Sequence, residues 1–128
     1  MEYNSPIELL VGKTLTKIVQ DKDEVYFHCD DGDVFKAYHM QDCCENVRVW
    51  DVVGDFRQVI GSPITSATSA SGDTPSDISH QSYESYTWTF HRISTRNGVV
   101  LFRWLGESNG YYSESVYFQR THEPWSER

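Results

Sequence analysis

The chain has 128 residues, a net charge of −8 and a sequence pI of about 4.9, with 38% apolar and 14% aromatic side chains. That length predicts one domain over residues 1–128, and that composition a core built on Trp, Tyr and Phe. The balance of 19 acidic against 11 basic side chains disfavours direct nucleic-acid binding, which depends on Lys and Arg neutralising phosphates, and suits a basic protein surface instead.

In chain order, Ser5-Pro6-Ile7-Glu8 predicts a short helix with Ser5 as cap, Pro6 in the first turn and Glu8 closing the capping box. Gly12 ends it. Strands are predicted over residues 14–19 and 24–29, and Asp30-Asp31-Gly32-Asp33 turns the second into a partner strand over 34–38. Residues 46–53 alternate, with Asp51 interrupting a face of Val47, Val49 and Val53. Gly54-Asp55 turns the chain and 56–60 form a helical turn, which Gly61-Ser62-Pro63 stops. Ser, Thr, Gly, Pro and Asp dominate residues 65–85, which predicts a flexible insertion loop. A strand over 86–94, in which Trp88 and Phe90 alternate with Thr87, Thr89 and His91, turns at Arg96-Asn97-Gly98 into a strand over 99–105. A turn over 106–110 leads to the last strand, 111–120, and residues 121–128 form a loose tail. The fold class is mainly β (α+β): an antiparallel sheet of about six or seven strands with one or two short helices.

No apolar run approaches the roughly 20 residues of a membrane helix. The first eleven residues lack the basic start and apolar stretch of a secretory signal. Three cysteines, two of them adjacent, predict reduced thiols in a cytosolic protein rather than a disulfide framework.

Two blocks carry chemistry. The first gathers His39, Asp42, Cys43, Cys44 and Glu45, with Asp51 further on. Zinc would draw on His39 and Cys43, a helical turn apart, with His28 or Cys29 from the hairpin, but adjacent cysteines lack the paired spacing of zinc ligands. A Cys43 nucleophile with His39 as base is the catalytic alternative, without an evident oxyanion loop or orienting group. The structural alternative makes both cysteines small core residues, with Asp42 and Glu45 capping backbone amides. Asp51 is read either as an acid or base in apolar surroundings or as the partner of Arg48, Arg57 or Arg103. The Asp30–Asp33 turn resembles half a calcium loop but has Tyr38 where the bidentate Glu belongs.

The second block is Arg103, Trp104, Asn109, Tyr111 and Tyr112. Arginine beside aromatics has the composition of a binding hot spot, or of a clamp for a nucleobase and its phosphate. Alternation on two faces of a sheet explains the same residues without a ligand.

The string His39-x-Gln41-Asp42-Cys43-Cys44-Glu45, with Gly54-Asp55, Gly61-Ser62-Pro63-Ile64, Trp88-Thr89-Phe90 and Arg103-Trp104-x-Gly106-x-Ser108-Asn109-Gly110-Tyr111-Tyr112-Ser113, resembles a family of small phage-encoded proteins that carry a domain of unknown function. The likeness runs from Leu10 to Phe118, and residues 65–84 match least. It implies a setting, the cytoplasm of a bacterial host, and no catalytic residue.

Three functions are weighed. The leading one is a non-enzymatic inhibitor of a host component, a defence system above all, that binds a host protein or complex with a basic surface and uses no cofactor, metal or membrane. The second is a binder that sequesters a signalling nucleotide through the Arg103–Tyr112 block at a homo-oligomer interface. The third is a Cys/His-dependent enzyme or a zinc-stabilised domain.

Overall fold

The computed structural model describes residues 5–21, 23–78 and 85–121. Alternation and the two glycine turns generate antiparallel hairpins, as the sequence predicts. Among the described residues eight strands form: β1 (Leu15–Gln20), β2 (Glu24–Cys29), β3 (Val34–Tyr38), β4 (Asn46–Val53), β5 (Ile64–Gly72), β6 (Ser85–Thr95), β7 (Gly98–Ser108) and β8 (Tyr117–Thr121). They make two four-stranded antiparallel sheets, ordered β1-β2-β3-β8 and β4-β7-β6-β5, rather than one. The predicted helices are single 3-10 turns, Ile7–Leu10 and Phe56–Gln58. Ser5 does not cap the first of these, where Pro6 is the N-cap residue; its N–H donates instead to Phe118 O at 2.6 Å. Asp55 does cap the second, accepting from Arg57 N.

The sheets face each other across a core with eighteen buried members among the described residues, of which five are aromatic and the rest, Cys29 apart, aliphatic. Phe27 of the first sheet meets Phe102 of the second edge-to-face at 5.7 Å, and Phe35 stacks on Phe118 at 5.4 Å. Each buried ring contributes about 1.5–3 kcal/mol through the apolar area it removes from water. Backbone bonds close one side of the sandwich: Gly12 N donates to Ile64 O at 2.8 Å and Gly61 N to Leu15 O at 2.9 Å.

Three expectations are corrected. The Ser/Thr-rich stretch expected as a flexible loop over 65–85 supplies β5, whose residues 64–72 pair with β6 from Ile64↔Thr95 to Gly72↔Trp88. Small β-branched and hydroxyl residues suit an edge strand, and the ladder supplies the ordering that apolar burial does not. Residues 79–84 and the tail 122–128 lie outside the described residues, and Thr121 ends β8.

The second correction concerns Asp51. The β4–β7 register runs Val49↔Trp104 and then Asp51↔Arg103, leaving Trp50 as an extra, bulged residue. A bulge shifts the alternation by one. Asp51 therefore shares the outer face with Arg103, and Val52, not Val53, packs on the core beside Val47 and Val49.

The third concerns the core, expected to be built on Trp, Tyr and Phe but mostly aliphatic, and β6 is the clearest case. Ile93 belongs to the core and Trp88 does not, so the inward face carries Thr89, His91, Ile93 and Thr95. Trp88 and Phe90 point away from it. At the C-terminal end, β7 continues through Gly106 to Ser108, and β8 begins only at Tyr117. Residues 109–116 are a loop laid against β7: a Cβ on Gly106 would stand 2.7 Å from Glu114 O.

Candidate functional site

The β3–β4 connection folds around Glu45. Its side chain is fully buried and that of His39 is 3% exposed, with Glu45 Oε2 2.7 Å from His39 Nε2. The same carboxylate accepts from Asp42 N at 2.7 Å and Cys43 N at 3.0 Å. His39 Nδ1 lies 2.7 Å from Ser115 O, which ties this loop to the 109–116 loop. Burial pushes the Glu45 carboxyl up, but hydrogen bonds from His39, Cys43 N and Asp42 N outweigh it and bring the pKa down to about 2. Gln41 Nε2 donates to Glu45 O at 2.7 Å and completes the turn.

Cys43 and Cys44 lie exposed and are joined to each other as a disulfide. This corrects both the reduced state and the core position expected for them. His39 is held by Glu45 and Ser115, and Cys43 by its neighbour, so no nucleophile–base pair forms between them. Cys29 is buried, and that burial pushes its thiol up to about 11. It stands with His28 at the far end of β2 from the Tyr38 register position, roughly 15 Å along the strand. Among the described residues no three His, Cys, Asp or Glu side chains gather as a metal would require. At the Asp30–Asp33 turn, Lys13 Nζ bonds Asp31 at 2.6 Å and Asp33 at 2.7 Å, placing a cation where the calcium-like loop would hold its ion.

Beside the His39–Glu45 pair is a cleft of about 480 Å³ lined by Asp23, Glu24, His39, Gln41, Glu45, Asn46 and Val47. Its described lining contains no Lys or Arg. Elsewhere Lys13, Lys36, Arg48, Arg57, Arg103 and Arg120 are each paired with a carboxylate of the chain.

The second block is divided by the sheet. Trp104 is fully buried in the core, whereas Arg103 lies on the outer face. There Arg103 grips Asp51 with two bonds of 2.6 Å and reaches Asp77 at 3.1 Å. Of the three arginines considered for Asp51, the structure selects Arg103. Tyr111 is 82% exposed and meets Tyr112 edge-to-face. Asn109 Oδ1 accepts from Tyr111 N at 2.9 Å. The five residues are therefore not one pocket. Ser108 and Thr87 both donate to the buried Glu114, so Gly106, Ser108 and Asn109 serve to seat the 109–116 loop.

Sequence reasoning missed the outer-face cluster beneath residues 73–78. Trp88 meets Trp50 edge-to-face at 5.8 Å and stacks with Phe90, and its Nε1 donates to Thr74 at 3.2 Å. The clue was the bulge, which has no single-residue signature.

It also missed His91, which is 2% exposed on the inner face. Burial lowers its pKa from 6.5 to about 4. A pKa below the unfolded value means that the unfolded chain takes up the proton first, so stability falls as pH drops from 6.5 towards 4. The expected loss is about 3 kcal/mol, and His91→Phe is expected to abolish it. Urea titrations at pH 7.5 and 4.5 check this.

The geometry defines an antiparallel β-sandwich whose polar clusters join loops at one end. Residues 8–118 match the family described as Domain of unknown function (DUF7448), and the chain belongs to that family. No curated protein and no solved structure matches it. Among the described residues no helix is long and apolar enough to cross a membrane.

Proposed function

We propose that this is a non-enzymatic phage protein that binds a basic surface of a host protein complex, a defence system in particular, and blocks it in the bacterial cytoplasm. The observation that carries the reading is the acidic cleft: Asp23, Glu24 and Glu45 line it with Gln41 and Asn46, and the basic side chains named above are held in ion pairs within the chain. Glu45 is engaged by His39, Asp42 N and Cys43 N, and Glu24 faces Lys36 at 3.9 Å, so the exposed Asp23 at the mouth of the cleft is the acid that would meet a Lys or Arg side chain of the partner. The chain's net negative charge steers association and weakens with salt, over a screening length of about 8 Å at physiological ionic strength.

The test is co-expression with a panel of bacterial defence systems, scored by phage plating. Relief of at least one system is expected, and the double variant Asp23→Lys, Asn46→Lys, at two exposed positions of the cleft, is expected to lose it at least tenfold. Relief of none, or equal relief by the variant, would overturn the proposal.

A further inference from the structure

Cys43 and Cys44 are joined to each other, and both lie exposed on the β3–β4 connection. A bridge between distant residues stabilises a fold by closing a long loop of chain, and the gain shrinks with the loop. Neighbours at a sequence separation of 1 enclose no loop, so this bridge is no staple for the sandwich. It closes instead a small ring through the Cys43–Cys44 peptide, and the turn around Glu45 holds that backbone. Cys43 N donates to Glu45 Oε1 at 3.0 Å, Asp42 N to Oε2 at 2.7 Å, and Gln41 Nε2 to Cys43 O at 3.2 Å. Disulfides break when a thiolate attacks one sulfur, so exposure governs which of them exchange. Cys29, the third cysteine, is buried and unbridged, and it serves as an internal control.

We propose that Cys43–Cys44 is a thiol–disulfide exchange site whose substrate is a dithiol, and that its two states tighten and release the turn around Glu45. A thiolate of the dithiol attacks one cysteine sulfur. The S–S bond breaks, a mixed disulfide forms, and the displaced sulfur leaves as a thiolate. The second thiolate of the dithiol then attacks its own sulfur in the mixed disulfide and releases the other cysteine. Two electrons and two protons pass to the protein, and the dithiol departs as a cyclic disulfide. A monothiol is a poor substrate, because the displaced cysteine stays beside the mixed disulfide and expels it to restore the bridge. Once the ring is open, Cys43 and Cys44 rotate independently and Cys43 N turns away from Glu45. His39 and Asp42 N keep their bonds to the carboxylate, so the turn loosens without losing its centre. The exchange belongs to this turn and does not require the acidic cleft to hold a partner.

The experiment treats the full chain with oxidised glutathione, desalts it, and then adds dithiothreitol or mercaptoethanol at equal thiol concentration. Free thiols are trapped with iodoacetamide and located by mass spectrometry. The oxidised native chain is expected to take no label. Dithiothreitol is expected to expose Cys43 and Cys44 together, about tenfold faster than mercaptoethanol does, while Cys29 is labelled only on denaturation. Amide hydrogen exchange at Cys43 is expected to quicken about tenfold on opening, with β6 and β7 unchanged. Cys44→Ser, at an exposed position, cannot bridge. With its fold verified by circular dichroism, it is expected to show the fast Cys43 amide with or without dithiothreitol. Labelled Cys43 and Cys44 in the oxidised chain, equal rates with the two reductants, or a Cys43 amide that does not respond to opening would overturn the proposal.

Discussion

Glu45→Ala is expected to destabilise the protein by about 3–5 kcal/mol at pH 7, the cost of leaving three hydrogen-bonded donors without their buried acceptor. Three donors lose their acceptor at once: His39 Nε2, Asp42 N and Cys43 N. His39 would keep only Ser115 O, so the link between the β3–β4 and 109–116 loops weakens as well. The pH dependence identifies the cause. The folded-state pKa of Glu45, about 2, lies below its ordinary 4.5, so its contribution is complete above pH 4.5 and is lost as pH falls from 4.5 to 2. The gap between wild type and Glu45→Ala should therefore be widest at neutral pH and close on acidification. Urea midpoints at pH 7, 4 and 2.5 measure it, and a gap independent of pH would show that the effect is steric rather than ionic.

The hairpins were legible because their turns are local: Asp30-Asp31-Gly32-Asp33 and Arg96-Asn97-Gly98 sit between alternating runs, and glycine φ values of 94° at Gly32 and 153° at Gly98 mark both. The division into two sheets was not, since it depends on β3 pairing with β8 and β4 with β7, contacts far apart in sequence. The bulge at Trp50 misled the reading of Asp51, and Trp88 and Phe90 pass for core residues until their register with β5 and β7 is known. The Ser/Thr-rich β5 was misread from composition, which measures what a segment can bury and not what a neighbouring strand can donate to it. In the site, the dense polar run from His39 to Glu45 was visible in the sequence. Its organisation around Glu45 was not, because the contact that fixes His39 comes from Ser115, 76 residues away.

Trp104→Ala and Arg103→Ala, at neighbouring positions, are expected to differ sharply. Trp104 is completely buried, and truncating a buried aromatic to Ala costs about 3–5 kcal/mol through lost transfer energy and the cavity left behind. That is a large part of the 5–15 kcal/mol that holds a typical domain together. Arg103 is 11% exposed, but its partners Asp51 and Asp77 are 39% and 64% exposed. Water can resolvate both carboxylates once the guanidinium is gone, so Arg103→Ala should cost only about 1–2 kcal/mol. Its loss also frees Asp77 on the segment that crosses Trp88, so tryptophan fluorescence should shift to the red while the fold persists. Urea melts of the two variants, read by circular dichroism and by fluorescence, test both halves. A clamp for a planar ligand predicts the opposite order: a Trp104 replaceable at little cost to the fold, since a stacking ring must stand open to its guest. Comparable stability of Trp104→Ala and wild type would therefore return the Arg103–Trp104 pair to consideration as a binding site.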